Sequence, residues 1–388
     1  MKKIAGLLFM FLLVIIISCE KEENLDNRNE IIYNQKTGII IESDNSLGFK
    51  LIKQIENEQG KNLCISPLSV SMALGMTYNG ADGETKKAME ETLGLEDLSM
   101  EDINGSYRDL INALSTNDSK VLFEIANSIW SKQGFDIEND FITTNSEYFN
   151  ARTQELDFND PGAVDTINAW VSEKTHDKIE TIIDEISPDV VMYLINAIYF
   201  KGIWKYEFEE DDTEDYTFTL ENSEQISVPV MKQEGKFNYL TNDLFSSVEL
   251  KYGSGNFSMH ILLPNYDKNV DDIIESIDNE YWDQCLSQYE ETEEVKVFLP
   301  RFKFEYEKSL NEELKALGMA IAFTTSANFT GIHKNGGIYI SDVKHKTFID
   351  VNEEGTEAAA VTSVEVSLTS DSGVYFMALK PFIFIIKE

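Results

Sequence analysis

Ser66 and His345 are the residues whose types could make a nucleophile and its base, yet nothing local arranges them for that work. A triad can assemble across any sequence distance, so a hydrolase using the pair is one chemical reading of this chain. The usual local signatures are missing. There is no Gly-x-Ser-x-Gly elbow, and Gly80-Ala81-Asp82-Gly83-Glu84-Thr85-Lys86-Lys87 lacks phosphate-loop spacing. His176, His260, His333 and His345 are not spaced as metal ligands. Cys64 lies in an apolar run and Cys285 beside Trp282, so both read as buried thiols. Neither a metal nor a cofactor is expected.

A different chemistry, the addition of a strand to a sheet, is legible at residues 353–369. From Thr356, alternate residues read Thr356, Ala358, Ala360, Thr362, Val364, Val366 and Leu368, all small or apolar. The opposite face carries Glu357, Ala359, Val361, Ser363, Glu365 and Ser367, with both charges on it. Period-two order of this kind gives one dry and one wet face. The small residues at the start would let the segment enter a crowded sheet. Ordering it costs about 1–2 kcal/mol per residue, offset by backbone hydrogen bonds of about 1 kcal/mol each. Burying Val364, Val366 and Leu368 adds on the order of 5–9 kcal/mol as an upper bound. An unpaired inward charge would cancel that, and the inward face has none.

The elements that must position this segment follow no repeat. Helical patterns run from Leu47, with Ser66-Pro67 opening a helix through Tyr78. They continue to about Leu114, recur at Thr166–Thr175, and are expected again at Asp272–Cys285 and Leu310–Leu317. Strands are expected near 122–130, 190–200, 216–220, 226–231, 245–250, 257–263, 295–299 and 303–306. Mixed, non-alternating order indicates an α+β fold. With 388 residues, 42% of them hydrophobic, and 23 Phe, a large core is within reach. A net charge of −37 argues against nucleic acid and against charge-driven binding to anionic lipid. The acidic run Glu207–Asp215 reads as a solvated face.

Several ordered motifs resemble the serpins. Ile349-Asp350-Val351-Asn352-Glu353-Glu354-Gly355-Thr356-Glu357-Ala358-Ala359-Ala360 is similar to that family's mobile-loop hinge. Asn62 to Ser69, Met72 to Ala81, Ile167 to Val171, Thr175 to Ile179, Leu194 to Trp204, Leu299 to Phe302 and Lys380 to Phe384 resemble further family motifs. The resemblance runs from about Leu47 to the end. It implies the serpin fold, with a large mixed central sheet, two smaller sheets, surrounding helices and an exposed reactive loop near the C-terminus. It implies a suicide substrate that traps a protease as an acyl-enzyme when the cleaved loop inserts into the central sheet. The alternative is a non-inhibitory surface serpin acting as a binding protein.

By the same resemblance, Glu353, Gly355, Thr356, Glu357, Ala358, Ala359 and Ala360 form the hinge. Ser66, Ser69, Asn196 and His345 form a polar cluster where the sheet must part, exchanging hydrogen-bond partners as it does so. Trp204 supports loop entry, and Arg301 pairs with Glu353. Counting along the loop places the reactive bond at Thr369-Ser370, with Leu368 as the alternative. No Lys or Arg lies between Thr356 and Met377. The implied partner is therefore a serine or cysteine protease with an apolar primary pocket. A monomer is expected. The family's usual last strand has no counterpart before Glu388, so that strand is expected to be missing.

Lys2-Lys3 followed by Leu7–Ile17 has the form of a signal peptide over residues 1–18 and is short for a membrane span. Ile16-Ile17-Ser18-Cys19 resembles a bacterial lipoprotein cleavage box, which implies lipid on Cys19. Glu20-Lys21-Glu22-Glu23 resembles the export signal of surface lipoproteins. An acidic, polar tether is expected over 19–45, and the serpin-like domain over 46–388. The implied location is the outer membrane, with the domain facing outward.

Overall fold

The computed structural model describes residues 33–55, 61–356 and 373–388. The signal segment, Cys19, Glu357 to Ala360, Leu368, Thr369 and Ser370 lie outside them. The first half holds α1 (Gln35–Gln54), α2 (Pro67–Tyr78), α3 (Gly83–Leu93), α4 (Met100–Thr116), β1 (Val121–Lys132), α5 (Asn139–Phe149), β2 (Arg152–Leu156), α6 (Gly162–Lys174) and β3 (Met192–Ile203). Four strands follow: β4 (Glu214–Thr219), β5 (Gln225–Thr241), β6 (Phe245–Tyr252) and β7 (Phe257–Pro264). Next come α7 (Val270–Ser276), α8 (Asn279–Ser287), β8 (Glu290–Pro300), β9 (Phe302–Ser309) and α9 (Asn311–Leu314). The chain closes with β10 (Lys344–Val351), β11 (Gly355–Thr356), β12 (Val374–Met377) and β13 (Ile383–Lys387).

Two expectations are corrected here. The polar tether does not extend over residues 35–45, because α1 begins at Gln35. Asn34 caps it, its side chain accepting from the amides of Lys36 and Thr37. Ile40, Leu47 and Leu51 are fully or almost fully buried at helical spacing, so this stretch presents a helix face to the core. The single helix expected over 272–285 is two helices. Asp278 accepts from the Tyr281 amide and starts α8 after α7 has ended at Ser276.

The central sheet has six strands in the order β2-β1-β3-β11-β10-β9. It is mixed: β1 and β2 run parallel, and the other ladders are antiparallel. The second sheet has seven strands, ordered β12-β8-β5-β6-β7-β13, with β4 on β5. The two smaller sheets thus join through the 17-residue β5, whose register shifts between Gly235 and Phe237. A bulge of this kind bends a strand and strengthens its twist.

Layers of apolar side chains fix these parts. Ile40, Leu47 and Leu51 of α1, Met72 and Met76 of α2, and Tyr107 of α4 share a core with Ile129 of the central sheet. A second core, including Val121, Trp204, Val248, Met259, Val297 and Val351, lies between the two sheets. α6 packs Trp170 edge-on to Trp130 of β1, with ring centroids 6.0 Å apart.

Candidate functional site

The site is the head of the central sheet, where β10 turns into β11. Asn352 makes that turn. Its amide donates to the Gly355 carbonyl at 2.9 Å, and its side-chain oxygen accepts from the Glu354 amide at 3.2 Å. Val351 then faces Thr356 in an antiparallel register. On the other side Gly355 faces Ile203, and Thr356 faces Gly202 of β3. Among the described residues, β3 and β10 share no ladder with each other. They are joined through these two hinge residues.

The fit depends on small residues. A Cβ on Gly355 would lie 2.1 Å from the Gly202 carbonyl oxygen, a distance no side chain tolerates. A Cβ on Gly202 would lie 2.8 Å from the Tyr252 ring. Glycine is therefore required on both strands for their backbones to meet. Thr356 is buried, and its hydroxyl bonds the Tyr252 hydroxyl at 2.7 Å.

Trp204 supports the turn from the strand opposite. Its amide donates to the Glu354 carbonyl at 2.8 Å, and its indole N–H to the Asn352 carbonyl at 2.9 Å. Its ring stacks on Tyr252, 4.4 Å between centroids and 13° from parallel. Glu353 is buried and accepts from Arg301, and from the Thr213 hydroxyl at 2.6 Å. Burial alone would raise the Glu353 carboxyl, but the bonds from Arg301 and Thr213 hold it below the usual range. The structure thus brings Trp204, Arg301, Glu353, Gly355 and Thr356 into one assembly. Sequence reasoning missed Tyr252 and Thr213, and no local pattern marks either.

Further down the sheet, the polar cluster is split. The Ser66 amide donates to His345 Nε2 at 3.1 Å, and the Ser66 hydroxyl caps α2 by accepting from the Ser69 amide at 3.3 Å. Those three residues meet. Asn196 instead donates to Asn127 Oδ1 at 2.8 Å and points its amide at Met72 Sδ, 3.7 Å away. Its Oδ1 is buried without a partner. Register explains this, since Asn127 and Asn196 lie directly opposite in the β1–β3 ladder. Ser66 offers no activated nucleophile here, because its own amide holds the imidazole nitrogen that a base would use.

Burial pushes the His345 imidazole down to about 4. The unfolded chain takes up this proton as pH falls below about 6.5, whereas the fold resists until about 4. Stability is therefore lost as pH drops through that window. His345→Gln keeps an acceptor for the Ser66 amide and cannot charge. It should lose less stability than the parent between pH 6.5 and 4, by on the order of 3 kcal/mol. Urea titrations at both pH values measure the difference, and equal losses would contradict the assignment. His260, also pushed down to about 4 by burial, is common to both proteins.

Comparison with known proteins gives one consistent match. The family model described as Serpin (serine protease inhibitor) covers residues 42–388. A serpin-like protein of Methanosarcina acetivorans is 33% identical over 361 residues, covering 90% of this chain and 83% of that one. The thermophilic serpin tengpin in its native state superposes with a TM-score of 0.83 at 34% identity, covering 94% of this chain and 95% of that one. Human thyroxine-binding globulin, solved in complex with thyroxine, also gives 0.83, at 25% identity with 91% and 95% covered.

Proposed function

Because this chain belongs to the serpin family, we propose that it is a protease inhibitor acting as a suicide substrate. Protease inhibition is the family's general role. The finer reading is that an endopeptidase cleaves the loop near Thr369-Ser370, or after Leu368, and is acylated. The cleaved segment then enters between β3 and β10 before the acyl-enzyme hydrolyses. One observation carries this reading: small, uncharged Gly355 and Thr356 already pair with both strands, which share no ladder of their own among the described residues. Strand addition of this form draws affinity from main-chain hydrogen bonds.

The test is incubation of purified protein with serine and cysteine proteases that have apolar primary pockets. A complex stable to denaturing electrophoresis is expected, with loop cleavage mapped by mass spectrometry. Cleavage of the loop by every protease without any such complex would refute the reading. A second reading, a non-inhibitory binding protein, draws support from the likeness to thyroxine-binding globulin. It predicts that refuting outcome.

For location, the proposal is a lipid-anchored, outward-facing protein held through Cys19. Cys19→Ala should move the protein from the membrane fraction to the soluble one and abolish incorporation of labelled fatty acid. Membrane retention of both forms, with no lipid on Cys19, counts against it.

A further inference from the structure

One acid lies inside the seam between α1 and its neighbours. Buried residues of α1 recur as Thr37, Ile40, Asp44, Leu47 and Leu51, so Asp44 stands in the middle of the stripe that faces the core. It is 6% exposed. Its Oδ1 accepts from the Tyr107 hydroxyl of α4 at 3.1 Å. Ser71 of α2 is near enough to act on the same carboxyl, yet among the described residues neither Asp44 Oδ2 nor Ser71 Oγ has a hydrogen-bond partner. No described cation acts on the carboxyl either. The charged side chains on the other helices packed against α1 are engaged elsewhere. Glu90 of α3 accepts from the Tyr78 hydroxyl, Asp102 of α4 accepts from the Ser99 hydroxyl, and Glu313 of α9 pairs with Lys308. Arg108 of α4 pairs with Asp109, and Asp272 and Asp278 serve the caps of α7 and α8. An ionised Asp44 would bury a charge with no counter-ion, a cost that a folded protein relieves by holding the proton.

We propose that Asp44 is a proton-operated lock: neutral, it holds α1 to α2 and α4, and its ionisation loosens that seam and the sheet beneath α2. Two contacts connect the lock to the sheet. The amide of Ser66, the cap of α2, holds His345 on β10, and Met72, next to Ser71, meets the side-chain amide of Asn196 on β3. α2 therefore bridges the two strands that flank the hinge. This holds whether or not the loop traps a protease. Burial lifts the Asp44 carboxyl to about 7, against the lowering pull of Ser71 and Tyr107. An aspartate in the unfolded chain titrates near ~3.9. As pH rises, the unfolded chain gives up this proton first. Stability therefore falls from about pH 4 until the folded carboxyl has also ionised, above about pH 7.

Asp44→Asn keeps the shape and the acceptor for Tyr107 and carries no titratable proton. Urea titrations of the full chain and this variant, at intervals from about pH 4 to 8, read the lock, with His260 and His345 common to both proteins. The parent's unfolding constant should exceed the variant's by a ratio that grows about tenfold per pH unit between about 4 and 7, then levels at about 1000-fold. Amide exchange in α2, corrected for the intrinsic rate, should quicken from about pH 6 to 8 in the parent and stay level in the variant. Infrared spectra of the parent at about pH 6 should show a protonated carboxylic-acid band that the variant lacks, disappearing with a midpoint of about 7. Should Asp44→Asn fail to fold, Tyr107→Phe gives a second reading: it deletes a bond to the ionised form, so the midpoint of the band should move upward. A stability ratio that does not change with pH makes Asp44 a structural residue only and overturns the proposal. So does a parental carboxyl already ionised at about pH 6, as it would be if solvent reached Oδ2. Unchanged α2 exchange overturns the link to the sheet.

Discussion

Thr356→Arg is expected to turn the protein from a trap into an ordinary substrate. Thr356 is 4% exposed, faces Gly202 in register, and shares a hydrogen bond with the buried Tyr252 hydroxyl. An arginine there would have to leave its guanidinium among the packed rings of Trp204 and Tyr252, or withdraw from the sheet. Burying an unpaired charge costs several kcal/mol. At 1.36 kcal/mol per decade, strand addition would slow by about 100-fold or more relative to acyl-enzyme hydrolysis. Cleavage, governed by residues 12 or more positions further on, should persist. The measurement is the fraction of protease recovered as covalent complex against the fraction released active with the loop cut. Thr356→Val, which keeps the shape and loses only the Tyr252 bond, should still trap. An arginine variant that traps as well as the parent would remove the hinge from the mechanism.

Trp204→Ala should be the most destabilising single truncation at the sheet head. The side chain is 3% exposed, stacks on Tyr252, and satisfies the Asn352 carbonyl. Removing a buried tryptophan costs about 3–5 kcal/mol through lost transfer energy and the cavity left behind. Trp204→Phe keeps a ring over Tyr252 and deletes the indole donor, so it should cost about 1–3 kcal/mol for the orphaned carbonyl and smaller ring. Denaturant titration of the three proteins measures both steps. If Trp204→Ala shifts stability by less than 1 kcal/mol, the turn is held by its backbone bonds alone.

The start of the hinge, at Gly355 and Thr356, was legible because it is local. Period-two alternation and a glycine at its start survive in any reading of residues 353–369. Trp204, Arg301 and Glu353 came forward only through resemblance, since their contacts join residues 52 to 148 positions apart. Tyr252 and Thr213 left no trace at all: a buried hydroxyl that meets Thr356 across 104 residues has no sequence period. The same limit placed Asn196 with His345, when strand register sets it against Asn127. At the N-terminus, polarity misled. Asn34, Glu42, Ser43 and Asp44 suggested a solvated tether, but Asn34 is a cap and Asp44 is buried, accepting from the Tyr107 hydroxyl at 3.1 Å. Burial pushes the Asp44 carboxyl up to about 7, and nothing in the sequence separates it from a surface acid.

Strand direction at β11 carries a thermodynamic consequence. β11 is antiparallel to both β3 and β10, so those two strands run parallel to each other. Were they to close directly, the product would be a parallel pair, the slightly weaker arrangement per residue. Each residue added behind Thr356 would instead place two antiparallel ladders where one parallel ladder could form. The costly step of starting a strand is also already taken, because the Asn352 turn fixes the first two positions. On the proposed mechanism, lengthening β11 would be elongation from a formed nucleus, with no further loop to close. The connectivity of the six-stranded sheet would thus favour a longer β11 before any side chain of an added segment is buried.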